Sequence, residues 1–357
     1  MRARAKTARY VTAFMRAILA LSLGIAGCTA APSFRSTLPE QIETGEKTIA
    51  IIGDLQQTPA LIRFMRRREN TRDAQQVLID DLRSRVDELS ALVVVGDLVY
   101  TGQSSRDWRH FDTLMAGIGA RVPILPAIGN HDYPCALVLW CRTAHMAAGM
   151  RTRFPWLEPG EPYAVDAGPL LLLFIDSESR LREQAHWLQR RLDAAAGTYS
   201  AALVFFHRPP YSNSVETSAR GDVAVQETLV PILRNSEVPA TVFNGHIHGF
   251  EHLQIDDVHF FTTAGGGGPR VAMPGPADAA ASSTRPVASD RYTGAECHLD
   301  GSRMVRPFNY VLLKATRMQL QLDVMGICSP EERVRLFYST TIAMTIATTD
   351  AAGLTAR

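Results

Sequence analysis

Five apolar runs set the terms on which this chain can fold. TIAII (48–52), ALVVV (91–95), VPILPAI (122–128), AALVFF (201–206) and ATVF (240–243) are followed within three residues by Asp54, Asp97, Asn130, His207 and His246, respectively. Short aliphatic runs rich in β-branched residues read as strands buried on both faces. Segments with helical spacing lie between them. Leu78, Leu82, Val86 and Leu89 mark a helix over 71–90, and Trp108, Phe111, Leu114 and Met115 mark one over 104–119. Trp187, Leu188 and Leu192 mark a third over 181–195, and a fourth spans about 222–235. PLLLLFIDS (169–177), DVHFFTTAG (257–265) and FNYVLLKAT (308–316) through LQLDVMG (320–326) read as further strands. Strands alternating with helices predict an α/β sheet covered on its faces, with polar residues collected at the carboxyl ends of the strands.

The N-terminus reads differently. Arg2, Arg4, Lys6, Arg9 and Arg16 precede the apolar stretch AILALSLGI and the small residues Ala26 and Gly27, the layout of a secretory signal over 1–27. The apolar run is shorter than the roughly 20 residues a membrane span needs. IAGC resembles a bacterial lipobox, which would make Cys28 a lipidated residue; an ordinary cleaved signal is the alternative. Residues 28–46 then read as a polar tether, 47–345 as the folded domain and 346–357 as a tail, with the protein exported and lipid-anchored in a bacterial cell envelope. A Gly/Pro/Ala/Ser-rich stretch at about 269–308 reads as a surface insertion.

Composition narrows the function classes. With 46% hydrophobic and 20% charged residues, the 357-residue chain has ample material for a core. A net charge of +1 gives no global case for a nucleic-acid partner. In an oxidising compartment Cys135, Cys141, Cys297 and Cys328 predict disulfides, which three pairings can satisfy. Cys135–Cys141 closes a local loop and Cys297–Cys328 fastens the insertion to a strand; a four-cysteine zinc site is disfavoured by the absence of a C-x-x-C pair.

Taken alone, each strand-end polar residue has an ordinary explanation as a turn former, a cap or a buried histidine. Taken together, carboxylate, amide and imidazole donors following five strands suit zinc, manganese or iron, and not a thiolate site. His246 and His248 are two apart, so an extended backbone would send them to opposite sides and let them serve two neighbouring ions.

GDLQ (53–56), GDLVY (96–100), GNHD (129–132), the strand-end His207 and GHIH (245–248) resemble the ordered motif set of the calcineurin-like metallophosphoesterase superfamily. HRPPYSNS and the tyrosine of GDLVY are similar to its purple-acid-phosphatase-like branch. The resemblance, over about 48–268, implies a four-layer sandwich of two mixed β-sheets flanked by α-helices, with a di-metal site at the strand ends. It implies one ion held by Asp54, Asp97 and His248 and a second held by Asp97, Asn130, His207 and His246. It also implies a small phosphorylated substrate, with His131 facing it as general acid and Asp132 orienting His131 from behind.

Position 56 departs from the pattern, since the common first motif is Asp-x-His and this chain has Gln56. Three readings stand open: Tyr100 is the compensating ligand, Gln56 gives its amide oxygen, or the first site is weak. The last case leads to a second reading, a non-catalytic or weakly active metal-binding envelope lipoprotein. A second departure is His252, where relatives commonly carry arginine. Arg270 in GGGGPR and Tyr211 in PPYSNS are candidate substrate contacts. Arg63, Arg66, Arg67, Arg68 and Arg72 read either as a solvated charged face or as a surface for anionic substrate or lipid. His110, His145, His186, His259 and His298 have no partner pattern and read as structural or surface residues.

Overall fold

The computed structural model describes residues 35–133, 148–214, 221–273, 290–299, 303–316 and 318–344. β1 (Thr48–Ile52), β2 (Leu89–Val95) and β3 (Ile124–Ala127) lie side by side and parallel, with Ile52 opposite Val94 and Val94 opposite Pro126. Parallel neighbours need a crossover, and the helices Arg72–Ser84 and Ser105–Gly119 supply the two required here. Ser104 caps the second, its side chain accepting from Asp107 N.

The second sheet comprises β4 (Tyr163–Ala167), β5 (Leu170–Phe174), β6 (Ala201–Phe205), β7 (Ala240–Asn244), β8 (Phe250–Ile255) and β9 (Val258–Thr263), in the order β4-β5-β6-β7-β9-β8. Its β5, β6, β7 and β9 run parallel, and the edge strands β4 and β8 run antiparallel to their neighbours. β10 (Cys297–Leu299) and β11 (Arg303–Val305) form a separate ribbon. β12 (Phe308–Ala315), β13 (Gln319–Ile327) and β14 (Arg335–Ala343) then return to the first sheet, giving β14-β13-β12-β1-β2-β3.

Side-chain alternation turns these sheets into four layers. Ile49 and Ile51 of β1 face Leu172, Phe174, Phe205 and Phe243 across the gap between the sheets. Ala50 and Ile52 point the other way and meet Leu78, Leu82, Phe111 and Met115 of the two helices. On the far side, Leu173, Val204 and Val242 pack against Leu188, Leu192, Leu229 and Leu233. Strands buried on both faces need no polar alternation, which is why these runs are continuously aliphatic.

Two helix expectations need correction, and two further stretches can be described in more detail. The helix predicted over 71–90 ends at Ser84; Val86 begins a 3-10 turn and Leu89 begins β2, pairing with Thr48. Val86 and Leu89 are still buried in the layer that holds Leu78, so their spacing reported burial correctly and backbone geometry wrongly. The helix expected at 222–235 is two short helices, Val223–Thr228 and Val230–Arg234, with Pro231 starting the second. The polar stretch expected to be a tether is seated on the domain from Ser36 onward. Ser36 N donates to Arg153 O, Ile42 is buried with its N–H on Asp166 O, and Thr44 Oγ1 donates to Ala167 O. Finally, the stretch expected as a surface insertion carries the β10–β11 ribbon and the buried Arg270 and Arg306.

The Cys297–Cys328 disulfide is present, tying the ribbon to the end of β13. Cys28, Cys135, Cys141 and His145 lie outside the described residues. No helix among the described residues is long and apolar enough to cross a membrane.

Candidate metal centre

β1, β2 and β3 deliver Asp54, Asp97 and Asn130, and β6 and β7 of the other sheet deliver His207, His246 and His248. Three of these residues sit on left-handed backbone: Asp54 at φ 59°, Asp97 at φ 54° and His246 at φ 70°. Each follows a glycine, and each such residue costs on the order of 1–3 kcal/mol that its surroundings must offset. Gly96 is itself at φ 91°, and a methyl group there would run into the His207 ring. Cross-links between the turns hold the geometry. Asp54 N donates to Gly96 O at 3.1 Å, and His246 N donates to the Asp54 carboxylate at 3.0 Å.

The donors converge. His207 Nε2 lies 3.3 Å from Asp97 Oδ2 and 3.2 Å from Asn130 Oδ1, while its Nδ1 donates to Val95 O at 3.0 Å. One donor atom from each of Asp97, His207 and His246 lies within 4.8 Å of the others. Alongside, His248 Nε2 is 3.3 Å from Asp54 Oδ1, and its Nδ1 donates to Pro269 O at 2.9 Å. Anchoring one ring nitrogen on a backbone carbonyl fixes the tautomer that leaves Nε2 free for an ion.

The electrostatics have the same direction. Burial pulls the Asp97 pKa upward, but the charges of His207 and His131 prevail and hold it well below the usual carboxylate range. Burial disfavours charge on His207, yet the Asp97 carboxylate pushes its pKa up to about 10. Burial, reinforced by the charges of His207 and Arg208, pushes His246 down to about 2. His248 is raised because Asp54 outweighs its burial. Two buried carboxylates thus recruit protons onto imidazoles, and a cation is what displaces such protons.

Gln56 belongs to this group. Its Nε2 donates to Asp97 Oδ2 at 3.0 Å and lies 3.2 Å from His248 Nε2, while its Oε1 is buried without a hydrogen-bond partner. Rotating the amide exchanges the two atoms and turns that orphaned oxygen toward the same carboxylate and imidazole. The donor set fits a cation among Asp97, His207 and His246, and Asp54, Gln56 and His248 lie beside it. Tyr100 enters through its backbone, its carbonyl accepting from His131 Nδ1 at 2.7 Å with ring centroids 5.0 Å apart. Burial raises its phenol pKa against the opposing charges of Arg66 and Arg68.

Three expected roles change. Asp132 does not touch the His131 ring. Its carboxylate accepts from the backbone N–H groups of Asp97 (3.0 Å), Leu98 (2.9 Å), Val99 (3.3 Å) and Gly129 (2.9 Å), so it braces the turn that carries Asp97. Burial and the charge of Asp97 raise its pKa, opposed by the Gly129 and Val99 donors. Arg270 already has a counter-ion: it is buried, its guanidinium pairs with Glu69 at 2.9 Å and it lies over the Phe308 ring at 4.0 Å. Tyr211 packs its ring edge-on against Phe260 at 5.4 Å, on the helix-covered face of the second sheet. His252 is buried, between Tyr338 Oη at 2.8 Å and His259 Nδ1 at 2.9 Å.

One residue at the site escaped the sequence reading. Arg208 Nη1 lies 3.3 Å from His246 Nε2, and its guanidinium is gripped by both oxygens of Glu178 at 2.7 and 3.0 Å. The available signal was its position directly after His207, and that of Glu178 four residues beyond the end of β5.

A calcineurin-like phosphoesterase family model matches residues 47–250. The chain belongs to the calcineurin-like phosphoesterase family. Among solved structures, a purple acid phosphatase from yellow lupin (Lupinus luteus) seeds superposes with a TM-score of 0.58 at 16% identity, covering 86% of this chain and 55% of that one. This chain thus spans about half the length of the lupin protein. A dimetal phosphatase from Danio rerio gives a TM-score of 0.52 at 16% identity over 84% of this chain and 99% of that one. The anchor protein of the Plasmodium inner membrane complex gives 0.55 at 12% over 84% and 89%. These likenesses are of fold. The comparison with curated proteins gives no match.

Proposed function

We propose that the chain hydrolyses a small phosphate ester, a phosphomonoester before a diester, with two metal ions held by Asp54, Gln56, Asp97, Asn130, His207, His246 and His248. The observation that carries this is the approach of Asp97 Oδ2 and Asn130 Oδ1, from one sheet, to 3.3 and 3.2 Å from His207 Nε2 of the other. Bound there, the ions would supply activation of the attacking water and neutralisation of charge on the phosphoryl oxygens. Asp97, bonded at 2.8 Å by His131 N through Oδ1 and facing His207 through Oδ2, is placed to be shared between the two positions. His131, with Nδ1 tied to Tyr100 O, keeps Nε2 available to protonate the departing oxygen as general acid. Arg208, held flat by Glu178, is placed to hydrogen-bond a phosphoryl oxygen. We place the protein on the outer side of a bacterial cytoplasmic membrane, lipidated at Cys28, on the support of the N-terminal sequence.

Elemental analysis of the purified protein beside a panel of mono- and diesters tests the reading. Two metals per chain with release of p-nitrophenol from a phosphomonoester is the expected result. One metal and no turnover is the outcome of the second reading, which Gln56 favours as a neutral donor seated between Asp97 and His248.

A further inference from the structure

The segment that follows the first strand-end aspartate carries a surface that the chemistry above leaves unused. Leu61, Phe64 and Met65 are 69%, 83% and 72% exposed on the short helix Ala60–Met65, of which no residue is buried. Other large exposed apolar residues among those described, such as Leu38, Val223, Met318 and Leu336, occur singly along the chain. Arg63, Arg67 and Arg68 line a groove with Ala60, Phe64 and Met65, and Arg66 adjoins them in sequence. Among the described residues none of these arginines forms an ion pair; Arg63 donates to the neutral Asn70 Oδ1 at 2.8 Å.

The patch is held in place from below. Glu69 pairs with the buried Arg270, and Thr71 Oγ1 donates to Gly267 O. It also borders the metal centre: Ala60 lies four residues beyond Gln56, and Arg270, the partner of Glu69, follows Pro269, whose carbonyl accepts from His248 Nδ1.

Apolar side chains in water beside unneutralised cations are a mismatch that only certain surroundings resolve. A nucleic acid would neutralise the arginines and leave Phe64 wet. An apolar groove on another protein would cover Phe64 and strand the arginines. An anionic bilayer satisfies both, with headgroups meeting the guanidinium groups and the acyl boundary receiving the apolar side chains.

We propose that residues 60–68 dock the protein onto an anionic phospholipid surface, with the mouth of the metal centre beside the membrane. This contact is separate from any lipid on Cys28 and does not depend on the hydrolytic reading.

Vesicle co-flotation of the full chain tests it, using phosphatidylcholine alone or mixed with phosphatidylglycerol. The N-terminus is common to every variant, so differences report the patch. The wild type is expected to prefer the anionic vesicles. Arg66→Gln/Arg67→Gln should lower that partition roughly 25-fold, about fivefold per charge. Phe64→Ser/Met65→Ser should lower it about tenfold or more. Thermal melts matching the wild type show that each variant is folded, and the apolar variant should keep its rate on a soluble ester. Equal partition of the wild type onto neutral and anionic vesicles overturns the proposal. So does unchanged partition of both variants, or light scattering that reveals a dimer abolished by Phe64→Ser.

Discussion

Replacing Asp132 with asparagine separates two accounts of this residue. In the structure Oδ1 accepts from Leu98 N and Val99 N, and Oδ2 from Asp97 N and Gly129 N. Asparagine keeps one oxygen and presents an NH2 group to the other pair of N–H donors. Two charge-assisted bonds are lost, each worth about 1.5–3 kcal/mol, for a total of roughly 3–6 kcal/mol. The melting temperature should fall by roughly 10 °C. Because the turn carrying Asp97 is the part released, metal affinity should fall with it. Urea unfolding with and without chelator, together with metal titration, measures both. His131→Asn is the control, expected to slow turnover with little loss of stability or metal. If Asp132→Asn unfolds within about 1 kcal/mol of the wild type and reproduces only the kinetic defect of His131→Asn, Asp132 acts on the imidazole and the bracing role is wrong.

Four further outcomes follow from the geometry. Asp97→Ala and His246→Ala should abolish turnover and lose metal, whereas His131→Ala should keep metal and lose about 10²–10⁴ in kcat, as read by elemental analysis and steady-state kinetics. Arg208→Ala should raise KM for a phosphate ester, and Glu178→Gln should do so more weakly; unchanged KM in both removes Arg208 from the substrate site. Arg270→Ala removes the counter-charge of the largely buried Glu69, leaving it only the main-chain N–H of residue 270, and should cost about 3–5 kcal/mol in stability, with KM unaffected in the folded fraction. Burial, with the charge of Asp290, pushes Glu251 up to about 7. An acid with a raised folded pKa contributes stability that is present below its unfolded value of about 4.3 and lost as pH rises through the folded one. Denaturation midpoints should therefore fall between about pH 5 and 8, and Glu251→Gln should flatten that fall.

The strand-end donors that converge were legible because two independent signals coincide there: an aliphatic run that fixes a buried strand, and a polar residue that has no place inside one. Asp54, Asp97, Asn130, His207 and His246 each carry both signals. Asp132 shows where reading stops. Its acidity is visible in GNHD, but its four partners are main-chain groups that look alike in any sequence. Arg270 was misplaced for a different reason: its counter-ion, Glu69, is 201 residues away, so nothing local marks the arginine as already neutralised. Tyr211 stands close to His207 in sequence, yet the strand end turns its ring toward Phe260. The edge strands β4, β8 and β14 lack a continuous apolar run, since an edge is held by one neighbour and tolerates half-exposed positions such as those of Leu336 and Gln254.

The division of the donor set between two sheets also bears on how the protein holds together. Asp54, Asp97 and Asn130 belong to one layer, and His207, His246 and His248 to the other. An ion seated among them would act as a rivet through the sandwich, favouring the assembled form by RT ln(1 + [L]/Kd). Neither layer alone owns a complete set of donors, so the set is complete only where the two layers have packed on Ile49, Ile51, Phe205 and Phe243.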